Sequence, residues 1–118
     1  MIRMTLPLPP SANRYWRHVG SRVLLSKEAR EYRQAVSMLA MGVMGRRKPV
    51  TGRYRLEIDV YRDLRGDLAN HEKQLHDALE GTVVVNDRDC WELVMRRHLD
   101  RKNPRVEVMI EPIEEAAC

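Results

Sequence analysis

The sequence predicts an α+β domain in which two main helices pack against a mixed β-sheet, in the order β-α-β-α-β-β. Three observations carry that prediction. Apolar residues alternate with polar ones in three separate stretches, 2–8, 54–61 and 105–110, which is the two-residue period of half-buried strands. Between the first two lies a stretch, 26–44, whose apolar residues recur at spacings of three and four, and a second helical stretch, 67–81, follows the second strand. With 118 residues the chain is long enough for one core and too short for two, so residues 1–118 form a single domain.

Each element follows from its local chemistry. Ile2, Met4, Leu6 and Leu8 alternate with Arg3 and Thr5 in a strand that Pro9 and Pro10 stop. The segment Ser11–Ser21 is polar, aromatic and basic without apolar periodicity, and is expected to be an irregular loop before a short extended piece at Arg22–Leu25. Ser26 is the N-cap of a helix running to about Met44, with Glu28 in its first turn complementing the helix dipole. Its buried stripe is Ala29, Tyr32, Val36, Leu39, Ala40 and Val43, with Arg30, Arg33 and Gln34 facing water; Met38, Met41 and Met44 are expected to pack. A basic turn, 45–53, leads into the strand 54–61. Asp67 then begins the second helix, with Leu68, Leu75 and Leu79 on one face and Asp67, Asn70 or His71, Gln74 and Asp77 or Ala78 on another, ended by Gly81. Thr82–Val85 and Trp91–Leu99 are extended around the loop Asn86–Cys90, and Lys102–Asn103–Pro104 turns a hairpin into the last strand, so the closing strands are antiparallel. Trp91 is assigned to the core or to a dimer interface.

Composition excludes several classes of protein. With 43% hydrophobic and 32% charged residues the chain is neither disordered nor membrane-spanning, since no run approaches the roughly 20 apolar residues a bilayer needs. Two cysteines, Cys90 and Cys118, are too few for a disulfide framework and lack zinc-site spacing, which suits a reducing cytoplasm. The net charge of +4 conceals a division: residues 1–56 hold 12 basic and 2 acidic side chains, residues 57–118 hold 9 and 15. Seventeen of the 21 basic residues are arginine, whose planar fork suits phosphate, while ten carboxylates fall between Glu57 and Glu92. Basic segments beside an acidic pocket point to a metal-dependent nuclease.

The acidic segment can be made specific. Asp67, Asn70, Lys73 and Asp77 on the second helix can meet Asp87 and Asp89 on the following loop, because Gly81 turns the chain back. Carboxylates converging across such a turn suit Mg²⁺, a hard ion with oxygen ligands, and a lysine on the same face can stabilise charge developing on a phosphate. His71 and His76, five residues apart, do not have the spacing of a helical zinc pair.

Four segments of this sequence together resemble the RusA family of Holliday-junction resolvases. LPLPPSANRYWRH is similar to the family's PPS-x-N-x-aromatic opening, VLLSKEAREYR to its short strand and Ser-capped helix start, RGDLANHEKQLHDALEG to its R-x-DLDN-x-x-K-x-x-x-DAL-x-G signature, and VVVNDRDCWEL to the segment that completes its metal site. The resemblance spans about residues 2–110 and implies a RusA-like fold. It implies Asp67 and Asp87 as Mg²⁺ ligands, Mn²⁺ being the alternative ion, and Lys73 as the catalytic lysine. Asn70 matches the signature asparagine, and Asp77 the aspartate of the DAL segment in a ligating or supporting role. Arg65 lies at the basic position before the signature. Asn13, Arg14, Arg17, Arg46, Arg47 and Lys48 are the further candidates for DNA contact.

One position departs from the pattern. The second aspartate of DLDN is Ala69 here, and alanine cannot bind a metal. Three accounts are compatible with it: Asp89, Asp77 or water fills the site; the aspartate has been replaced to trap an inactive protein; or the homologue binds junctions without cutting them. The resemblance implies a bacterial, phage or prophage protein of DNA recombination and repair. It also implies a cytoplasmic homodimer that nicks opposed strands of four-way junction DNA.

Overall fold

The structure, a computed structural model, describes residues 1–63 and 71–114, apart from the side chains of Ala12 and Asn13. Its main sheet holds four strands in the order β1-β6-β4-β5: β1 (Ile2–Leu6), β4 (Tyr54–Arg62), β5 (Cys90–Leu99) and β6 (Arg105–Pro112). β6 pairs antiparallel with both β1 and β4, whereas β4 and β5 run parallel. The long helix α2 (Lys27–Met44) and the shorter α3 (Glu72–Leu79) lie on one face. There Leu6, Leu56, Ile58, Val60, Val106 and Ile110 from the strands enclose Val36, Ala40, Leu75 and Leu79 from the helices. This is the predicted α+β arrangement, a mixed sheet with two main helices. Among the described residues no helix is long and apolar enough to cross a membrane.

Strand alternation was a sound guide because it is enforced by burial. In β1, Ile2, Met4 and Leu6 are buried and Arg3 and Thr5 are not; in β4, Tyr54, Leu56, Ile58 and Val60 face the core. Ser26 caps α2 as expected, its hydroxyl oxygen accepting from the Ala29 N–H at 3.1 Å, and the helix ends at Gly45, whose φ of +57° suits glycine. Past the end of α3, Gly81 takes φ +90° and starts the return of the chain.

Several expectations are corrected. Residues 11–21 are not an irregular loop: a single helical turn, α1 (Ala12–Tyr15), leads into β2 (Trp16–Val19), which pairs with β3 (Arg22–Leu25) as a separate hairpin. Gly20, with φ +60°, makes its turn possible at the position where a II′ hairpin needs glycine. The buried stripe of α2 is Ala29, Tyr32, Val36, Ala40 and Met44; Leu39 is 47% exposed, and Val43, Met38 and Met41 are exposed as well. A face that meets a sheet on one side only is narrower than the apolar pattern suggested.

Residues 82–85 form a turn rather than a strand, with Val84 making single bridges to Val50 and Glu80. The closing hairpin is absent too: β4 lies between β5 and β6, and the connection 100–104 steps over it, a distance of roughly 10 Å. The reason lies in β5, where Arg97 sits in register with Val60 on the core side, so the strand is accommodated at the edge, past the helices' cover. Trp91 is not in the core but 62% exposed.

Asp100 stabilises that crossing. Its carboxylate accepts from the Lys102 and Asn103 N–H groups and from Arg105, and the Arg105 hydrogen bond foremost holds its carboxyl pKa below the usual carboxylate range.

Leu56→Ala, at a fully buried position, should cost about 3 kcal/mol of unfolding free energy in urea titrations. Leu39→Ala should stay within about 0.5 kcal/mol, and equal losses would contradict the packing of α2. Burial raises the Tyr32 and Tyr54 phenols above the usual 10.0. The stabilisation tied to their neutral form is therefore complete below that value and declines as pH rises past it. A Tyr32→Phe, Tyr54→Phe protein should lose less stability than the parent between about pH 9 and pH 11.

Candidate metal centre and nucleic-acid interface

Because β4 and β5 are parallel, the chain must cross from the end of one to the start of the other, and α3 is the described part of that crossing. α3 is seated by a buried polar chain. His76 hydrogen-bonds through Nδ1 to the Glu72 carboxylate and through Nε2 to the Tyr54 hydroxyl at 3.1 Å. A carboxylate only accepts, so Nδ1 carries a proton. Both ring nitrogens of His76 are thereby committed to supporting the helix. From the other side, the Arg33 guanidinium of α2 donates to the Asp77 carbonyl oxygen at 3.2 Å.

The return from α3 is equally constrained. Gly81 N–H donates to the Val84 carbonyl at 2.7 Å, and residues 83–85 clasp Val50 through Val50 N–H to Val83 O (2.7 Å) and Val85 N–H to Val50 O (3.1 Å). Val83 and Val84 are fully buried. The chain then enters a 3₁₀ turn at Asp87–Asp89, capped by Asn86, whose side-chain oxygen accepts from the Arg88 N–H at 3.1 Å. The result is a cluster in which carboxylate oxygens of Asp77, Glu80 and Asp87 lie within 4.8 Å of one another.

The cluster has the chemistry of a divalent-cation site. Three oxygens that lie within 4.8 Å of one another can converge on one small cation, and all three donors are hard oxygens of the kind Mg²⁺ takes. Among the described residues no lysine or arginine head group pairs with any of the three carboxylates. The acids on the sheet's opposite face differ: Glu57 and Asp59 line a groove of about 540 Å³ but are engaged by Arg96 at 2.6 Å and His98 at 2.7 Å respectively. Burial first, then the nearby Cys90, Asp87, Asp89 and Glu80, raises the Tyr54 phenol, which places this tyrosine at the edge of the acidic region.

Of the residues named from sequence, Asp87 and Asp77 come together, and Asp89, on the same turn as Asp87, is not part of the cluster. Lys73 is exposed on α3, four residues before Asp77 and seven before Glu80, and so on their face. Arg46, Arg47 and Lys48 are exposed on the turn after α2, which the Val50 clasp holds against the loop leading to Asp87. Arg14 and Arg17 are exposed on α1 and β2. Beside them Tyr15 is fully buried; burial raises its phenol, Arg33 opposes that and Asp77 adds to it. Asp67, Asn70, Arg65 and the Asn13 side chain lie outside the described residues.

Glu80 was missed. Its signal was the three-residue spacing from Asp77, which stacks two carboxylates on one helix face directly before the turn that returns Asp87.

Over residues 7–111 the sequence matches the family described as Endodeoxyribonuclease RusA. It is 40% identical over 79 residues to the crossover junction endodeoxyribonuclease of Enterobacteria phage 82, and 39% identical over 79 residues to the proteins of that name from Shigella sonnei strain Ss046 and Escherichia coli strain K12. Each alignment covers 64% of this chain and 64% of the relative, so the chain spans just under two thirds of the length of the proteins it matches.

A cation held by this cluster stabilises the fold, by about 2.7 kcal/mol when present at a hundred times its Kd. Mg²⁺ or Mn²⁺ should therefore raise the thermal midpoint of the parent protein. Asp87→Asn should weaken the ion's Kd about ten-fold or more, measured by calorimetry, while Asp89→Asn leaves it unchanged. A parent midpoint indifferent to both ions would exclude the site.

Proposed function

The chain belongs to the RusA family of endodeoxyribonucleases, and on that footing we propose that it is a Mg²⁺-dependent, structure-selective endonuclease that resolves four-way DNA junctions by paired nicking. The observation that carries this reading is the meeting of Asp77, Glu80 and Asp87, with no cation paired to them among the described residues, beside exposed Lys73 and the basic turn Arg46–Lys48.

Asp77, Glu80 and Asp87 would hold the ion, with Asp67 joining them as its match to the family signature suggests. When bound there, Mg²⁺ lowers the pKa of a water and offsets negative charge on the phosphate. Lys73 holds a non-bridging phosphate oxygen from the same face of α3 and stabilises charge as it develops. Arg46, Arg47 and Lys48 grip flanking phosphates; Arg14 and Arg17, with Arg65 and Asn13, extend the contact along the strand. Water attacks the phosphorus in line, the bond to the 3′ oxygen breaks, and the ends are a 5′-phosphate and a 3′-hydroxyl.

One domain of this size supplies one such site. Two opposed nicks then require two copies, arranged as a two-fold homodimer on the junction. The setting is the cytoplasm of a bacterial or phage-infected cell, during DNA recombination and repair. Ala69 supports a second reading, a protein that binds junctions with an impaired centre, because the family signature has an aspartate there.

Purified protein with Mg²⁺ should nick a synthetic four-way junction at paired positions and spare linear duplex. Asp67→Asn should abolish cutting while junction binding persists, and Lys73→Ala should slow it by about 10²–10³-fold. Unchanged cutting by Asp67→Asn would remove that residue from the centre. If the parent binds without cutting and Ala69→Asp cuts, the impaired reading holds; if neither cuts, the endonuclease reading fails.

A further inference from the structure

Trp91 has no part in the centre described above, yet it occupies an unusual place. In the parallel register Tyr54 pairs with Cys90 and Arg55 with Glu92, so Trp91 is the extra residue of a β-bulge, unpaired with β4. Bulges re-aim side chains, and this one leaves the indole 62% exposed, four residues after Asp87. Its ring is not loose: the Arg53 guanidinium lies over it, 4.0 Å from the centroid, and the Arg53 carbonyl oxygen accepts from the Ile113 N–H at 2.9 Å. A rigid, cation-capped, exposed indole beside a phosphate-processing centre has the properties of a base-stacking surface.

We infer that Trp91, backed by Arg53, is a stacking platform for an unpaired DNA base lying close to the scissile phosphate. The inference rests on the endonuclease reading for its location and on the bulge geometry for its chemistry. Four residues reach at most about 14 Å, and passage through a 3₁₀ turn shortens this to about 10 Å. At 3.4 Å per nucleotide of a duplex strand, the stacked base lies within about three nucleotides of the cut. Branch points are where four-way junctions offer unstacked bases, so the platform would favour branched over uninterrupted DNA.

A second copy of the chain is the competing occupant, since Leu93 and Leu99 are exposed on the same edge strand. Those two belong to the row that also holds Met95, in register with Leu56, Ile58 and Arg62 on the helix side of the sheet. The bulge takes Trp91 out of that register.

The test uses 2-aminopurine, whose emission is quenched by stacking. It is placed one, two and three nucleotides from the nicked bond of a four-way junction, and separately in a short single-stranded oligonucleotide, both without Mg²⁺. The parent should quench the signal in both probes. Trp91→Ala should lose the quenching and weaken single-strand binding about ten-fold, and Trp91→Phe should keep most of both. The platform is refuted if Trp91→Ala matches the parent on both probes, or if it alters the oligomeric state by light scattering while the quenching stays. A parent that nicks junctions equally well and with equal quenching after Trp91→Ala overturns the platform and leaves the endonuclease reading intact. Trp91-dependent quenching of the single strand by a parent that nicks nothing does the reverse.

Discussion

Parallel pairing of β4 with β5 excludes a tight turn between them, and the site follows from that constraint. The chain must leave the end of β4, cross the sheet and return to the start of β5, with α3 lying along the way. Asp77 rides on the last turn of that helix, Glu80 caps its end, and Asp87 lies just before β5 begins, so the crossing itself delivers them to one place. Tyr54, at the start of β4, ties the helix down through His76, and Val50, a few residues earlier, clasps the returning loop. Strand pairing, helix seating and loop position are therefore one mechanical unit. That unit also carries the basic turn after α2 to the edge of the acids.

Charge is distributed with a corresponding division. On the sheet face without helices, Glu57 and Asp59 are matched by Arg55, Arg96 and His98, and Arg105 stacks on Tyr61 while pairing with Asp100 and Glu107. Such exposed pairs contribute little individually, but they leave that face electrostatically occupied. The acids at the end of α3 have no such partners among the described residues, and the arginines and lysine nearby stay exposed. A protein built for stability alone would pair these groups. Leaving carboxylates together and cations facing water keeps both groups accessible on this side of the molecule.

How far this was legible in the sequence varies residue by residue. Alternation located β1, β4 and β6 because each buries one face, and Ser26 located the start of α2 because an orphan N–H needs an acceptor. Asp77 and Asp87 were identified as neighbours because Gly81 reverses the chain between them. The hairpin of β2 and β3 was hidden by its composition: it buries no continuous face, so no period marks it. Leu39 and Val43 misled for the opposite reason, being apolar where none of the described residues covers them. Glu80 was not singled out because one carboxylate at a helix end is ordinary, and only a third acid brought from across a turn makes it part of a candidate cation cluster.

By itself the sequence determined what local chemistry can specify: strands from two-residue alternation, helix limits from a capping serine and glycines, a basic first half and acidic middle, and the motif that marks the family. Only the tertiary structure decided which strands are neighbours, that β5 runs parallel to β4 at the edge and not as a hairpin with β6, that Glu80 joins Asp77 and Asp87, and that Trp91 faces water on a bulge. The physical reason is that periodicity and capping depend on residues a few positions apart. Strand order, bulges and the meeting of charges depend on which surfaces the whole chain can bury at once, and no segment carries that information alone.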